Sequence, residues 1–142
     1  MASGHWVEDE LWAPISAVVA EHEGRASGLI CSTAVAATLD GDPPRVVLQL
    51  RKDNLTHDLA LASGRFTLHL LRRDQEELFR FLALGEGPPH EELLAWADCR
   101  IVATLDNLGS TLVVAEVLAG ERSPGEAFTA ADIIWDDELR GV

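Results

Sequence analysis

Residues 28–56, GLICSTAVAATLDGDPPRVVLQLRKDNLT, carry the strongest local instructions in the chain. Residues 30–39 are short, small and compatible with a strand. Asp40-Gly41-Asp42-Pro43-Pro44 then breaks the run, because two prolines fix φ and remove two backbone donors. Residues 46–50 form a compact apolar run, so the stretch reads as strand, turn, strand. If the two strands pair antiparallel, positions equally far from the turn become neighbours, and Ser32-Thr33 comes beside Arg51, Lys52, Asp53 and Asn54. That neighbourhood holds hydroxyls, an amide and two cations, a set suited to an anionic, hydrogen-bonding ligand.

Residues 1–13 form an acidic arm bearing tryptophan, in which Trp6, Leu11 and Trp12 pack either on a helical face or against a partner subunit. A single domain is expected over residues 14–142. Its first strand is 15–20, followed by a charged hairpin loop at 21–25, where His22 between two glutamates reads as solvated. Leu55, Leu59 and Ala62 have the spacing of one helical face, with Asn54 as cap and Gly64 as stop. A helix starting there aims its first amides at the Ser32-Thr33 neighbourhood and is an anion site in its own right. The equal alternative is that Asn54 and Thr56 are plain caps.

Residues 66–71 alternate as a strand, with His69 in a structural role. Asp74 and Glu77 have the spacing of a capping box, and Leu78, Phe79, Phe81 and Leu82 supply the buried side of the helix they open. Residues 85–89, rich in Gly and Pro, end it, and 91–97 read as a short helix or loop. Two further strands, 99–105 and 111–119, are joined by a turn-forming segment at 106–110. The second is apolar on both faces, and a second subunit is the economical covering. Residues 123–131 are a loop and 133–135 a final short strand. Strands outnumber helices and come as hairpins, which favours a closed or nearly closed antiparallel barrel over a parallel α/β sheet.

Composition excludes several functions. At 142 residues there is room for one domain with a core that needs no disulfide staple. No apolar run approaches the roughly 20 residues of a membrane span. The acidic start lacks the features of a secretory leader, so the cytoplasm is expected. Cys31 and Cys99 lie far apart in strands, without histidine clusters, and read as buried free thiols with no metal site. A net charge of −13 disfavours nucleic acid and anionic membranes and makes the Arg51-Lys52 pair conspicuous. The chain has no Gly-x-Ser-x-Gly elbow, His-Glu-x-x-His motif, phosphate-binding Gly-x-x-x-x-Gly-Lys loop or Gly-rich dinucleotide fingerprint. No pair among its 24 carboxylates stands out, so a bound cofactor is expected to carry any reaction.

The order of these modest motifs, from the Ser-Thr strand and Asp-x-x-Pro-Pro turn through Thr56-His57-Asp58, Ser63-Gly64-Arg65-Phe66 and Asp74-Gln75-Glu76-Glu77-Leu78, resembles the flavin reductase-like proteins with an FMN-binding split barrel. The resemblance implies a mainly β fold with inserted helices, a six-stranded antiparallel Greek-key split β-barrel. It further implies a homodimer with FMN, or FAD in its place, near the interface. Carried over by position, Ile30, Cys31, Ser32 and Thr33 edge the isoalloxazine ring. Gln49, Leu50 and Arg51 lie beside its pyrimidine side, and Lys52, Asn54 and Thr56 form the phosphate loop. Asp53 adds a negative charge beside that loop. The implied activity is hydride transfer from NAD(P)H to flavin, as in the reductase component serving a monooxygenase partner. The alternative within the same fold is a non-catalytic FMN-binding or dimeric interaction module.

Overall fold

The computed structural model describes residues 4–85 and 92–136. Helix α1 is Trp6–Glu10, and the strands are β1 Ser16–His22, β2 Arg25–Cys31, β3 Val35–Ala36, β4 Arg45–Arg51, β5 Arg65–Leu70, β6 Ala95–Asn107 and β7 Ser110–Arg122. Helix α2, Leu55–Ser63, lies between β4 and β5, and α3, Glu76–Ala83, between β5 and β6. All strands join one antiparallel sheet in the order β2-β1-β5-β6-β7-β4-β3. The described residues thus form seven strands where six were expected, the extra one being the two-residue β3.

The two edge strands, β2 and β3, are consecutive in sequence, so residues 32–34 link opposite edges of the sheet. Where the edges approach, Thr33 Oγ1 accepts a hydrogen bond from the Gln49 amide at 3.1 Å. The sheet is therefore a curled half-barrel with its split at Ser32-Thr33. Two register shifts in the β6–β7 pairing, between Asp98 and Cys99 and between Ile101 and Ala103, break the ladder and sharpen its twist. At Gly120 a Cβ would stand 2.8 Å from the Trp96 carbonyl oxygen, so this close approach of β7 to β6 requires glycine.

β1 is buried on both faces, and its alternating side chains feed two cores. Val18 joins Leu29, Leu48, Leu50, Phe66 and Val113 with Leu59 and Ala60 of α2. Ala17 and its neighbour Ile15 join Leu71, Leu78, Phe79, Leu82, Phe128 and Ile133. There Phe79 of α3 stacks on Phe128 with ring centroids 5.1 Å apart.

Several local expectations are corrected. The single strand anticipated at 30–39 is divided between β2, which pairs with β1, and β3, which pairs with β4 (Val35 with Val47). Asp74 does not cap α3: its Oδ1 accepts from Arg72 Nε at 3.2 Å, and the cap residue is Gln75. Gln75 is buried and latches two segments, accepting from the Arg72 amide and donating to the Glu92 carbonyl, each at 2.8 Å. Residues 95–97, read as helix or loop, already belong to β6. Residues 133–135 follow the 3₁₀ turn Ala130–Asp132 and form no strand. The helix-ending segment 86–89, the start of 91–97, and Asp137-Glu138 lie outside the described residues.

Candidate functional site

At the split, a cleft of about 510 Å³ runs between the end of β4 and the C-terminal half of α3. One side is polar. Ser32 comes from the link between the sheet edges, Gln49 and Arg51 from the end of β4, and Asp53 and Asn54 from the loop into α2. The other side is apolar, built from Ile15, Ile30, Phe79, Leu82 and Ile133. Trp12 and Trp135 close that side, their rings meeting edge to face with centroids 6.1 Å apart. The Trp12 indole donates to the Glu8 carbonyl at 2.8 Å, and Asp136, next to Trp135, pairs with Arg80 of α3 at 2.7 Å. The Ala13 amide donates to the Ser32 carbonyl at 2.8 Å, so both segments that carry these rings are tied to the rest of the protein.

Strand alternation decides which neighbours share the site. Gln49 and Arg51 project to the same side of β4, one step before and at its end. The Gln49 carboxamide is held by the Ser110 hydroxyl at 2.8 Å and the Asn107 side chain at 3.1 Å, both from the β6–β7 turn. Arg51 Nη2 lies 3.0 Å from Asp53 Oδ2, an ion pair at the rim with both side chains about two thirds exposed (67% and 69%).

Of the residues expected at the site, Ile30, Ser32, Gln49, Arg51 and Asn54 line the cleft. The others do not. Cys31 is buried, its Sγ 3.2 Å from Thr33 Oγ1, and both residues hold the split together. Leu50 points into the core because alternation turns it away from Gln49 and Arg51. Thr56 has no exposed surface; its hydroxyl donates to Ser27 Oγ at 2.9 Å and ties α2 to β2. Lys52, expected in the phosphate loop, does not line the cleft among the described residues: its ammonium pairs with Asp106 on the β6–β7 hairpin. At the start of α2, Asn54 caps the helix by accepting the Thr56 amide on its Oδ1 at 2.8 Å, whereas Thr56, expected as a second cap, is engaged with Ser27 instead.

Apart from Ile30, the apolar part of the cleft lies outside the residues expected from the sequence. The sequence pattern places Ile133 and Trp135 in a strand, and Phe79 in the core before any binding surface. The only signal was the presence of large aromatic residues near both extremities of the sequence, which does not reveal that they meet. Buried titratable groups lie elsewhere. Burial pushes the Cys99 thiol up to about 11, with the nearby Asp98 carboxylate adding to it, and burial lowers His69.

A curled antiparallel sheet with a cleft lined by apolar and polar residues at its split edge defines a protein of split-barrel fold. The chain belongs to the flavin reductase like domain family, whose profile matches residues 9–94. The reductase component of a 4-nitrophenol 4-monooxygenase/4-nitrocatechol 2-monooxygenase from Rhodococcus opacus is 29% identical to it, over 78% of this chain and 66% of that protein. The chain thus spans just under two thirds of that relative. Among solved structures, the styrene monooxygenase flavin reductase from Pseudomonas putida S12 superposes with a TM-score of 0.68 at 26% identity, covering 79% of this chain and 82% of that one. A flavin reductase domain protein from Arthrobacter sp. FB24 shares the fold, with a TM-score of 0.72 at 19% identity over 87% and 88% of the two chains.

Proposed function

We propose that the chain binds a flavin in the cleft at the split and acts as an NAD(P)H:flavin oxidoreductase, the flavin-supplying component of a two-component monooxygenase. The observation that carries this is the division of the cleft into an apolar wall and a polar rim, in a chain of the flavin reductase like domain family. FMN, the flavin we favour, joins a flat ring with a hydrogen-bonding edge to a ribityl phosphate, and the donor set fits it. The bound flavin supplies the two-electron chemistry. The chain's own residues bind, orient and keep water out.

Phe79, Ile133, Trp12 and Trp135 offer apolar surface to a ring and exclude water from its face. Gln49, Ser32 and Asn54 supply hydrogen bonds along the rim, with the Gln49 amide held in advance by Ser110 and Asn107. Arg51 is the one Lys or Arg among the described residues lining the cleft, and it is the cation that an anionic phosphate would meet there. Lys52 pairs with Asp106 and is not among the described residues lining the cleft.

A homodimer belongs to the same reading. Cross-strand register gathers Val35, Val47, Val114 and Ala103, then Leu112 and Leu105, on the outer face of the sheet. Val35 and Leu105 are 50% and 61% exposed, and Gln49 sits in the same row as Leu112 and Leu105, so the uncovered face runs up to the cleft. A second copy packed on this face would shield it from water. The reading is tested by adding FMN and either NADH or NADPH to the purified protein and following nicotinamide absorbance. Nicotinamide consumption that saturates with FMN is expected. Absence of both turnover and flavin binding refutes it.

A further inference from the structure

The rim of the cleft carries no net cationic charge. Arg51 stands 3.0 Å from Asp53, and both line the same cleft. The adjacent cation, Lys52, is paired with Asp106 on the hairpin. Among the described residues lining the cleft there is no second Lys or Arg to tip the balance toward an anion, and the chain as a whole stands at −13. We propose that Asp53 is a specificity-determining residue that suppresses the contribution of a flavin's phosphate, so that the cleft selects the ring and is indifferent to the phosphorylation of its tail. This rests on the flavin reading above.

The physical argument concerns what a phosphate meets on arrival. To pair with Arg51, it must share the guanidinium with a carboxylate two residues away that cannot leave the loop. Attraction to Arg51 and repulsion from Asp53 then act over similar distances and largely cancel. The neutral ring of riboflavin experiences neither. In the native protein FMN and riboflavin are therefore expected to bind with affinities within about threefold of each other, since an exposed charge pair leaves little net field. Replacing Asp53 by Asn keeps the shape of the side chain and removes only the opposing charge. FMN affinity should then rise by about five- to tenfold at low ionic strength, and the gain should shrink as salt is added.

The test is a set of flavin-fluorescence quenching titrations with FMN and with riboflavin at fixed low ionic strength. The proteins are the native chain, Asp53→Asn, Arg51→Gln and the double variant. Asp53 is exposed, its carboxylate pairs with Arg51, and thermal unfolding of each variant checks that the fold is kept. The expected result is tighter FMN binding in Asp53→Asn with riboflavin unchanged, and a smaller gain when Arg51 is also replaced. Equal effects of Asp53→Asn on both flavins, no effect on either, or a native protein that strongly prefers FMN overturns the assignment while leaving the flavin reading intact. A native protein that binds neither flavin overturns both.

Discussion

Phe128→Ala should be the most damaging single truncation of the cleft's foundation. Phe128 has no exposed surface and stacks on Phe79, which lines the cleft. Its amide donates to the Leu71 carbonyl at 2.8 Å and its carbonyl accepts from the Ile15 amide at 3.0 Å, so its backbone joins three segments and resists collapse into a void. The substitution removes roughly 100 Å³ of side chain, and at about 24 cal/mol per Å³ an unrelaxed cavity costs roughly 2.4 kcal/mol. Lost transfer free energy adds about 1.5 to 2 kcal/mol, giving a total of about 3 to 5 kcal/mol. In a chain of this size that corresponds to a fall in Tm of roughly 10 to 20 °C. Urea unfolding followed by tryptophan fluorescence measures it, with the m-value checked for constancy. A loss below about 1.5 kcal/mol with an unchanged m-value would refute the reasoning, because it would mean the second core repacks freely around the missing ring.

Two further outcomes are expected. Asn54→Ala removes the cap on the Thr56 amide and should cost about 1 kcal/mol in urea unfolding, whereas Asn54→Asp should keep most of that stability, since either side chain caps. Glu116 is bridged by Arg100 at 2.6 Å and Arg45 at 3.2 Å, and the hydrogen bond from Arg100, more than any other cause, holds its carboxyl below the ordinary 4.5. A depressed folded-state pKa gives stability that is present above the unfolded value and lost as pH falls through the folded one. Glu116→Gln should therefore shallow the acid-side fall in stability, measured as urea midpoints at neutral pH and at about pH 3.

The parts of the fold that depend on local chemistry were legible in the sequence. Asn54 and Gly64 bracket α2 as their capping properties dictate, and the Gly64 φ of 74° is the left-handed stop that glycine supplies. The hairpin β6–β7 was recognised but read too short, because its ends hold Trp96, Asp98, Glu121 and Arg122, which lack the apolar pattern of a central strand yet remain paired. α3 was given the wrong cap because Asp74 and Glu77 have the right spacing. Only the fold shows that Arg72 draws Asp74 aside while Gln75 is buried against the Glu92 carbonyl.

The site divides in the same way. Its polar rim lies within a single stretch of sequence, so Ser32, Arg51 and Asn54 could be expected as neighbours and the family resemblance added Gln49, but they meet through the closing of the sheet edges at Thr33 and Gln49 and not through a ladder between β2 and β4. Reading Arg51 and Lys52 as a joint cationic pair ignored that consecutive residues leaving a strand diverge. The apolar wall depends on Trp12 meeting Trp135, and no local rule links segments that distant.

That meeting of Trp12 and Trp135 also bears on the order of events during synthesis. The hairpins β1–β2 and β6–β7 involve near neighbours and can assemble early, whereas the apolar part of the cleft is complete only after Trp135 has docked beside Trp12, more than a hundred residues away along the chain. A nascent or nicked chain lacking residues beyond 132 could keep every rung of its sheet and still have half of its cavity open to solvent.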